Sequence, residues 1–248
     1  MRMSMAVRSA VVLLAVCLTV CLTASVAPAQ KRDRNKAIQK LIEYNEAIKE
    51  LEATILAPDP ADVAAARDFL ALPDTGIIRL LPREVYDSTS GRNTALHISG
   101  GGAYFSFATR SHEYGHGDDI ELAGGEFSSG FAGADYGFLV PIGKTALASL
   151  STDDPTVAAL AAFVPPSQEP GAREIQRALW QGYAVSPTIA PVKERAPVQL
   201  KTTYVLRSIN YDTSDVLVAF SPVRQDADGS VIVLWRLLRT YPVPKLER

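Results

Sequence analysis

Apolar residues along this chain follow three rhythms. Between 10 and 26 they are nearly continuous (AVVLLAVCLTVCLTASV). From 31 to 56 they fall at Ala37, Leu41, Tyr44, Ile48, Leu51 and Ile55, alternating four and three residues apart. Beyond Gly76 they mostly alternate with polar residues in short runs. The second rhythm is that of one helix face and the third that of strands.

The 31–56 segment contains no Gly or Pro, so a long amphipathic helix is expected there. Its seam suits docking on the body of the domain. The alternative is self-association through a coiled coil, for which the seam is short. Ala57-Pro58 ends this helix, and Asp59-Pro60 opens a second one that runs to about Leu72, with Asp59 as N-cap and Pro60 in the first turn. Leu72-Pro73-Asp74-Thr75-Gly76 resembles a sortase sorting signal. It is internal and lacks the apolar segment and basic tail such a signal needs, so it reads as a turn into a strand over Gly76–Leu81.

Alternation predicts strands at Thr94–Ser99, Ala103–Thr109, Ile120–Ala123, Glu126–Phe131 and Tyr136–Val140. Eleven of the sixteen glycines lie between Gly100 and Gly143, which suggests strands that bend and bulge, as in a sandwich or partly open barrel. Two helices are expected between about 154 and 181, the first opened by Asp154-Pro155 and the second over Gly171–Trp180. Residues 182–199, with Pro187, Pro191 and Pro197, read as an irregular surface connection. The last strands are expected at Thr202–Tyr211, Asp215–Arg224 and Ser230–Tyr241. Asp228-Gly229 joins the final two in a hairpin, and Pro222 marks a bulge or an edge. Asp226, Asp228 and Gly229 faintly resemble a calcium loop but lack its later ligands. Trp235 is expected in the core, with Leu234 and Leu237 nearby.

Composition adds a compartment. Arg2 and Arg8 precede the apolar run, and Ala27-Pro28-Ala29 follows it. This is the layout of a secretory signal cleaved before Gln30, and about 17 apolar residues is short for a membrane anchor. Both cysteines, Cys17 and Cys21, lie in that segment, so the mature chain would have neither disulfides nor thiolate metal sites. Cleavage also removes two arginines and no acid, which leaves 23 basic against 27 acidic residues. Without a basic stretch, nucleic acid is disfavoured as a partner, and no second apolar run is long enough to span a membrane.

One string names a chemistry. His112-Glu113-Tyr114-Gly115-His116 matches the H-E-x-x-H string of the zincin metallopeptidases. That resemblance implies zinc on His112 and His116, with Glu113 polarising a bound water, all on one helix face. The setting argues against it. A strand-like run precedes the string, Gly115 and Gly117 weaken a helix, and Thr109 stands where zincins usually carry an apolar residue. The alternative is a polar loop, Arg110–Asp119, between strands. Arg110, Tyr114, Asp118 and Asp119 are then candidate ligand-binding residues on that loop.

The expectation is an α+β protein with a mostly antiparallel β core. A signal occupies 1–29, a helical arm 30–73, and a β-rich domain with a helical insertion 74–248. Function is expected to be that of an exported, periplasmic or extracellular, binding or structural module without a cofactor. The second reading is a zinc-dependent hydrolase.

Overall fold

The computed structural model describes residues 33–86, 102–112, 117–131, 133–183 and 192–247. The apolar segment with its two cysteines, the strand expected at Thr94–Ser99, and residues Glu113, Tyr114 and His116 lie outside the described residues. The chain divides into two units, Met1–Ala53 and Thr54–Arg248. A helix over 33–56 (α1) forms as its rhythm predicts, and it exposes Ile38, Leu41, Tyr44 and Leu51. Among the described residues, no helix is long and apolar enough to cross a membrane.

In the second unit, α2 (Pro60–Ala65) and α3 (Arg67–Leu70) replace the single helix expected to Leu72. Ala66, at ψ 5°, breaks the run. Among the described residues nine strands follow: β1 Thr75–Leu80, β2 Tyr104–Phe105, β3 Ile120–Ala123, β4 Glu126–Ser128, β5 Tyr136–Gly143, β6 Arg195–Pro197, β7 Thr203–Asn210, β8 Ser214–Gln225 and β9 Val231–Thr240. Helix α4 (Arg83–Tyr86) follows β1, and α5 (Pro155–Ala161) and α6 (Glu169–Trp180) fall between β5 and β6.

The strands form two antiparallel sheets, in the orders β1-β9-β8-β7-β5 and β2-β3-β4-β6. The α+β architecture with an antiparallel β core is therefore as expected. Phe105, Ile120, Leu122 and Phe127 of the four-stranded sheet, with Phe107 of the turn after β2, share one core with Tyr204, Leu206, Val216, Val218, Phe220, Val233 and Trp235 of the five-stranded sheet. The opposite face of the five-stranded sheet carries Tyr136, Phe138, Val205, Ile209, Leu217 and Ala219. These pack with Val157 and Leu160 of α5 and Ala172 and Leu179 of α6. The insertion helices thus form a third layer, which is why every residue of β7 is buried. Each large side chain fully buried there contributes about 1.5–3 kcal/mol.

Local chemistry explains the hairpins. Gly124 and Gly125, at φ 59° and 73°, supply the two positive-φ positions of the tight turn between β3 and β4. At Asp228-Gly229 the aspartate carboxylate accepts bonds from the Ser230 N–H and Oγ–H, both at 2.9 Å. The register shift between Pro222 and Arg224 is the bulge expected at that proline. Gly76 pairs with Trp235, and a Cβ there would lie 2.4 Å from the indole, so the ring lies against bare backbone.

The glycine-rich stretch differs from expectation. Of its described glycines, only Gly137 and Gly143 fall within strands, and most of the others take positive φ between them. They terminate strands rather than bend them. The strand expected at Ala103–Thr109 is only two residues long. Residues 107–110 turn back instead, closed by a bridge between Ser106 and Ser111. Phe105 and Phe107 both reach the core, which produced the strand-like rhythm.

Candidate functional site

The expected binding loop is largely internal among its described residues. Asp118 and Asp119 are buried. Asp119 lies just before β3 and faces the end of β7. It accepts bonds from the Phe107 N–H (2.7 Å) and the Asn210 amide (3.0 Å). Burial pushes its carboxyl up to about 6, and hydrogen bonds from the Ser208 hydroxyl and the Phe107 N–H oppose the shift. This acid ties the 107–110 turn to the five-stranded sheet. Arg110, at φ 58°, ends the turn. Its guanidinium pairs with Asp74 at 3.2 Å and lies over the Trp235 ring, 5.5 Å from the centroid.

His112 lies beside this turn. Its Nδ1 is 2.9 Å from the Tyr104 carbonyl oxygen, and its ring meets the edge of Phe105. A carbonyl can only accept, so the ring donates at this contact. Burial lowers the ring to about 4, so it is neutral at physiological pH. Ser111 before it is in a β bridge, and Gly117 after the string stands at φ 114°. The described residues on either side of the H-E-x-x-H string are therefore not helical. Among the described residues, no cluster of three or more His, Cys, Asp or Glu could hold a metal.

A different place collects unspent polar chemistry. The pairs Tyr104–Glu121, Glu121–Ser128 and Ser128–Arg195 form one row across β2, β3, β4 and β6. This row is on the face opposite Ile120, Leu122 and Phe127. Beside it on α6 are Gln176 and Arg177, with Trp180 four and three residues further on, one turn along the same side. Between the row and the helix lies a cleft of about 310 Å³, completed by Ser129, Gly130, Phe131 and Glu194. The Gln176 amide donates to the Asp135 carbonyl at 3.1 Å and holds the helix against the β4–β5 connection.

Glu121 is committed within the wall. One oxygen accepts from Arg83 (2.9 Å) and the other from the Ser128 hydroxyl (2.8 Å). Glu194 differs. The Ser129 N–H donates to its backbone carbonyl, but among the described residues its carboxyl has no hydrogen bond or ion pair. Burial pushes that carboxyl up to about 7, partly offset by Arg195. Gly130, at φ 81°, makes room for it. A Cβ there would be 2.9 Å from the Tyr136 Cα and 3.1 Å from a Glu194 carboxyl oxygen.

Arg177 donates one bond to the Arg173 carbonyl, at 3.2 Å. Neither Arg177 nor Arg195 forms an ion pair among the described residues. Trp180 is 76% exposed at the cleft rim.

The sequence reading missed this site. One signal was available: Trp180 lies off the apolar stripe of α6, which runs through Ala172, Ile175 and Leu179. The rest was not legible. The site joins residues 121, 128, 177 and 194, and no local spacing relates them. No known family model matches the chain, and no curated protein or solved structure matches it.

Proposed function

We propose that this is an exported envelope protein that acts by binding, and that its ligand sits in the cleft between α6 and the β4–β6 edge. One observation carries the reading. Glu194, Arg177 and Arg195 line a single cleft and form no ion pair among the described residues, next to an exposed tryptophan. Arg177 and Arg195 are exposed and Glu194 is half-buried; a carboxyl drawn into the fold is normally given a partner there, and convergent polar groups in a concavity are the usual mark of a ligand site. Export is supported by the arginine-flanked apolar run and the Ala27-Pro28-Ala29 segment.

Trp180 supplies the test, because Trp235, the other tryptophan, is buried. A soluble ligand should saturably change the emission of the mature protein, and Trp180→Ala should weaken its binding at least about tenfold, the loss of some 1.4 kcal/mol. Ligands that bind Trp180→Ala and Arg195→Ala as well as the parent would overturn the cleft reading. Chelator-sensitive cleavage of a protein substrate by the purified chain, with stoichiometric zinc, would overturn the non-enzymatic one.

A further inference from the structure

The cleft continues past Trp180. A second hollow, of about 240 Å³, is lined by Trp180, Glu194 and Arg195 together with Lys193, Leu179 and Gly182. Three residues are therefore common to both hollows, and the exposed indole contributes to each. A site so arranged accommodates a ligand of several units in a row rather than one compact molecule.

Its charge is opposite to that of the chain. Arg177, Lys193 and Arg195 are cationic and have no ion pair among the described residues. Glu121 is already neutralised by Arg83, and burial leaves the Glu194 carboxyl partly protonated near neutrality. The local balance is positive, while the whole chain carries a formal charge of −2. The remaining polar lining groups are hydroxyls and an amide, from Ser128, Ser129 and Gln176.

We propose that the groove binds an acidic oligosaccharide, a chain of pyranose rings bearing carboxylates. This rests on the cleft being the ligand site. Trp180 offers a flat apolar face for the C–H face of a sugar ring, and its amphipathic ring tolerates the half-wet rim. The serines and Gln176 meet ring hydroxyls. The guanidinium groups of Arg177 and Arg195 pair with sugar carboxylates in the two-pronged geometry that guanidinium favours.

An extended peptide fits less well, because it binds by adding backbone hydrogen bonds to an open strand edge. The strand beside this groove is β6. It is three residues long and contains Pro197, which cannot donate. Lys193 just before it is already bridged to Leu139.

Glu194 makes the binding depend on proton concentration. Lining the two hollows with it are Arg195 and Lys193 from its own segment, Arg177 from α6, and Glu121 from β3, whose carboxyl is paired with Arg83. Ionised Glu194 repels a sugar carboxylate and competes for the arginines, so affinity falls as pH rises through about 7.

The test uses the mature protein and two probes of equal length: a β-linked glucose tetramer and the same tetramer oxidised to carboxylate at every C6. At pH 6 and low salt the carboxylated tetramer should bind at least about tenfold tighter than the neutral one, one charge-assisted bond being worth that much. Arg177→Ala and Arg195→Ala should each remove most of that advantage. Raising the pH to 8.5 should weaken binding about threefold or more, and Glu194→Gln should hold the tighter affinity at both pH values. All three positions line the surface, and unchanged melting temperatures separate lost contacts from lost folding.

Equal, Trp180-dependent binding of both tetramers would overturn the acidic-sugar inference and leave the cleft reading standing. The same holds if a tetraglutamate peptide binds through Trp180 and the sugars do not. Binding of the acidic tetramer that ignores Trp180→Ala and Arg195→Ala would overturn both.

Discussion

Charged groups are treated in opposite ways in two regions of this molecule. Beneath the insertion helices, Arg207 and Asp215 are each 1% exposed and paired in two-pronged fashion, with Nη2 to Oδ2 at 2.8 Å. Arg207 also donates to the Leu160 carbonyl at 3.0 Å, and its guanidinium carbon lies 3.2 Å from the Tyr241 ring centroid. Asp119 is likewise surrounded by donors. In the cleft, Arg177, Arg195 and Glu194 have no such charged partners among the described residues. The first set answers its own desolvation cost inside the fold, whereas the second depends on solvent or a ligand. Loss of a paired internal charge should therefore be felt as stability, and loss of a cleft charge as binding.

The largest effect should come from breaking the internal pair. Asp215→Ala strands a buried guanidinium and should cost about 3–5 kcal/mol, read as a shift in the urea midpoint. Replacing both partners, Arg207→Met with Asp215→Leu, should recover much of that loss. If the single and double variants are equally unstable, the pair is not the unit at stake.

Next in size is a pH signature of two neighbouring groups with opposite slopes. Asp119 is raised in the fold, to about 6, so the folded state holds the extra proton between about 4 and 6. Its contribution to stability falls as pH rises through that window. His112 is lowered to about 4, so the unfolded state holds the extra proton between about 4 and 6.5. Its contribution rises with pH. The two should largely cancel in the parent protein. Asp119→Asn should leave stability climbing with pH over this range, and His112→Gln should leave it falling, each by on the order of 2–3 kcal/mol. Identical pH profiles in all three proteins would show that neither group titrates as its burial implies.

Gly130→Ala is intermediate, because it touches fold and site together. A Cβ there must fit at φ 81° against Tyr136 backbone and the Glu194 carboxyl. It should cost about 1–3 kcal/mol and displace Glu194, flattening the pH dependence of ligand binding. The smallest effect on stability belongs to Arg195→Ala, within about 0.5 kcal/mol, since no internal partner is lost. A large loss of stability there would erase the distinction between the two regions.

Much of the fold could be read from local pattern. The α1 rhythm, the Asp154-Pro155 helix start, the long strands β7 to β9 and the Asp228-Gly229 hairpin all rest on residues within one turn or one strand of each other. Where the reading slipped, the signal was not local. β6 carries no alternation, since three residues including Pro197 form a strand only because β4 provides an edge. The Arg110–Asp119 segment is polar in sequence and suggested a surface. Asp119 is nonetheless buried, because Asn210, ninety-one positions away, supplies a donor.

The sequence by itself determined the α+β class and most strand positions, because period and turn chemistry act over a few residues. Only the tertiary structure decided which charges were consumed and which were left over. A carboxylate is structural or available according to whether a distant donor reaches it, and that is set by strand order and layer packing. Asp119 and Glu194 are both acids beside short strands, and only their partners in space tell them apart.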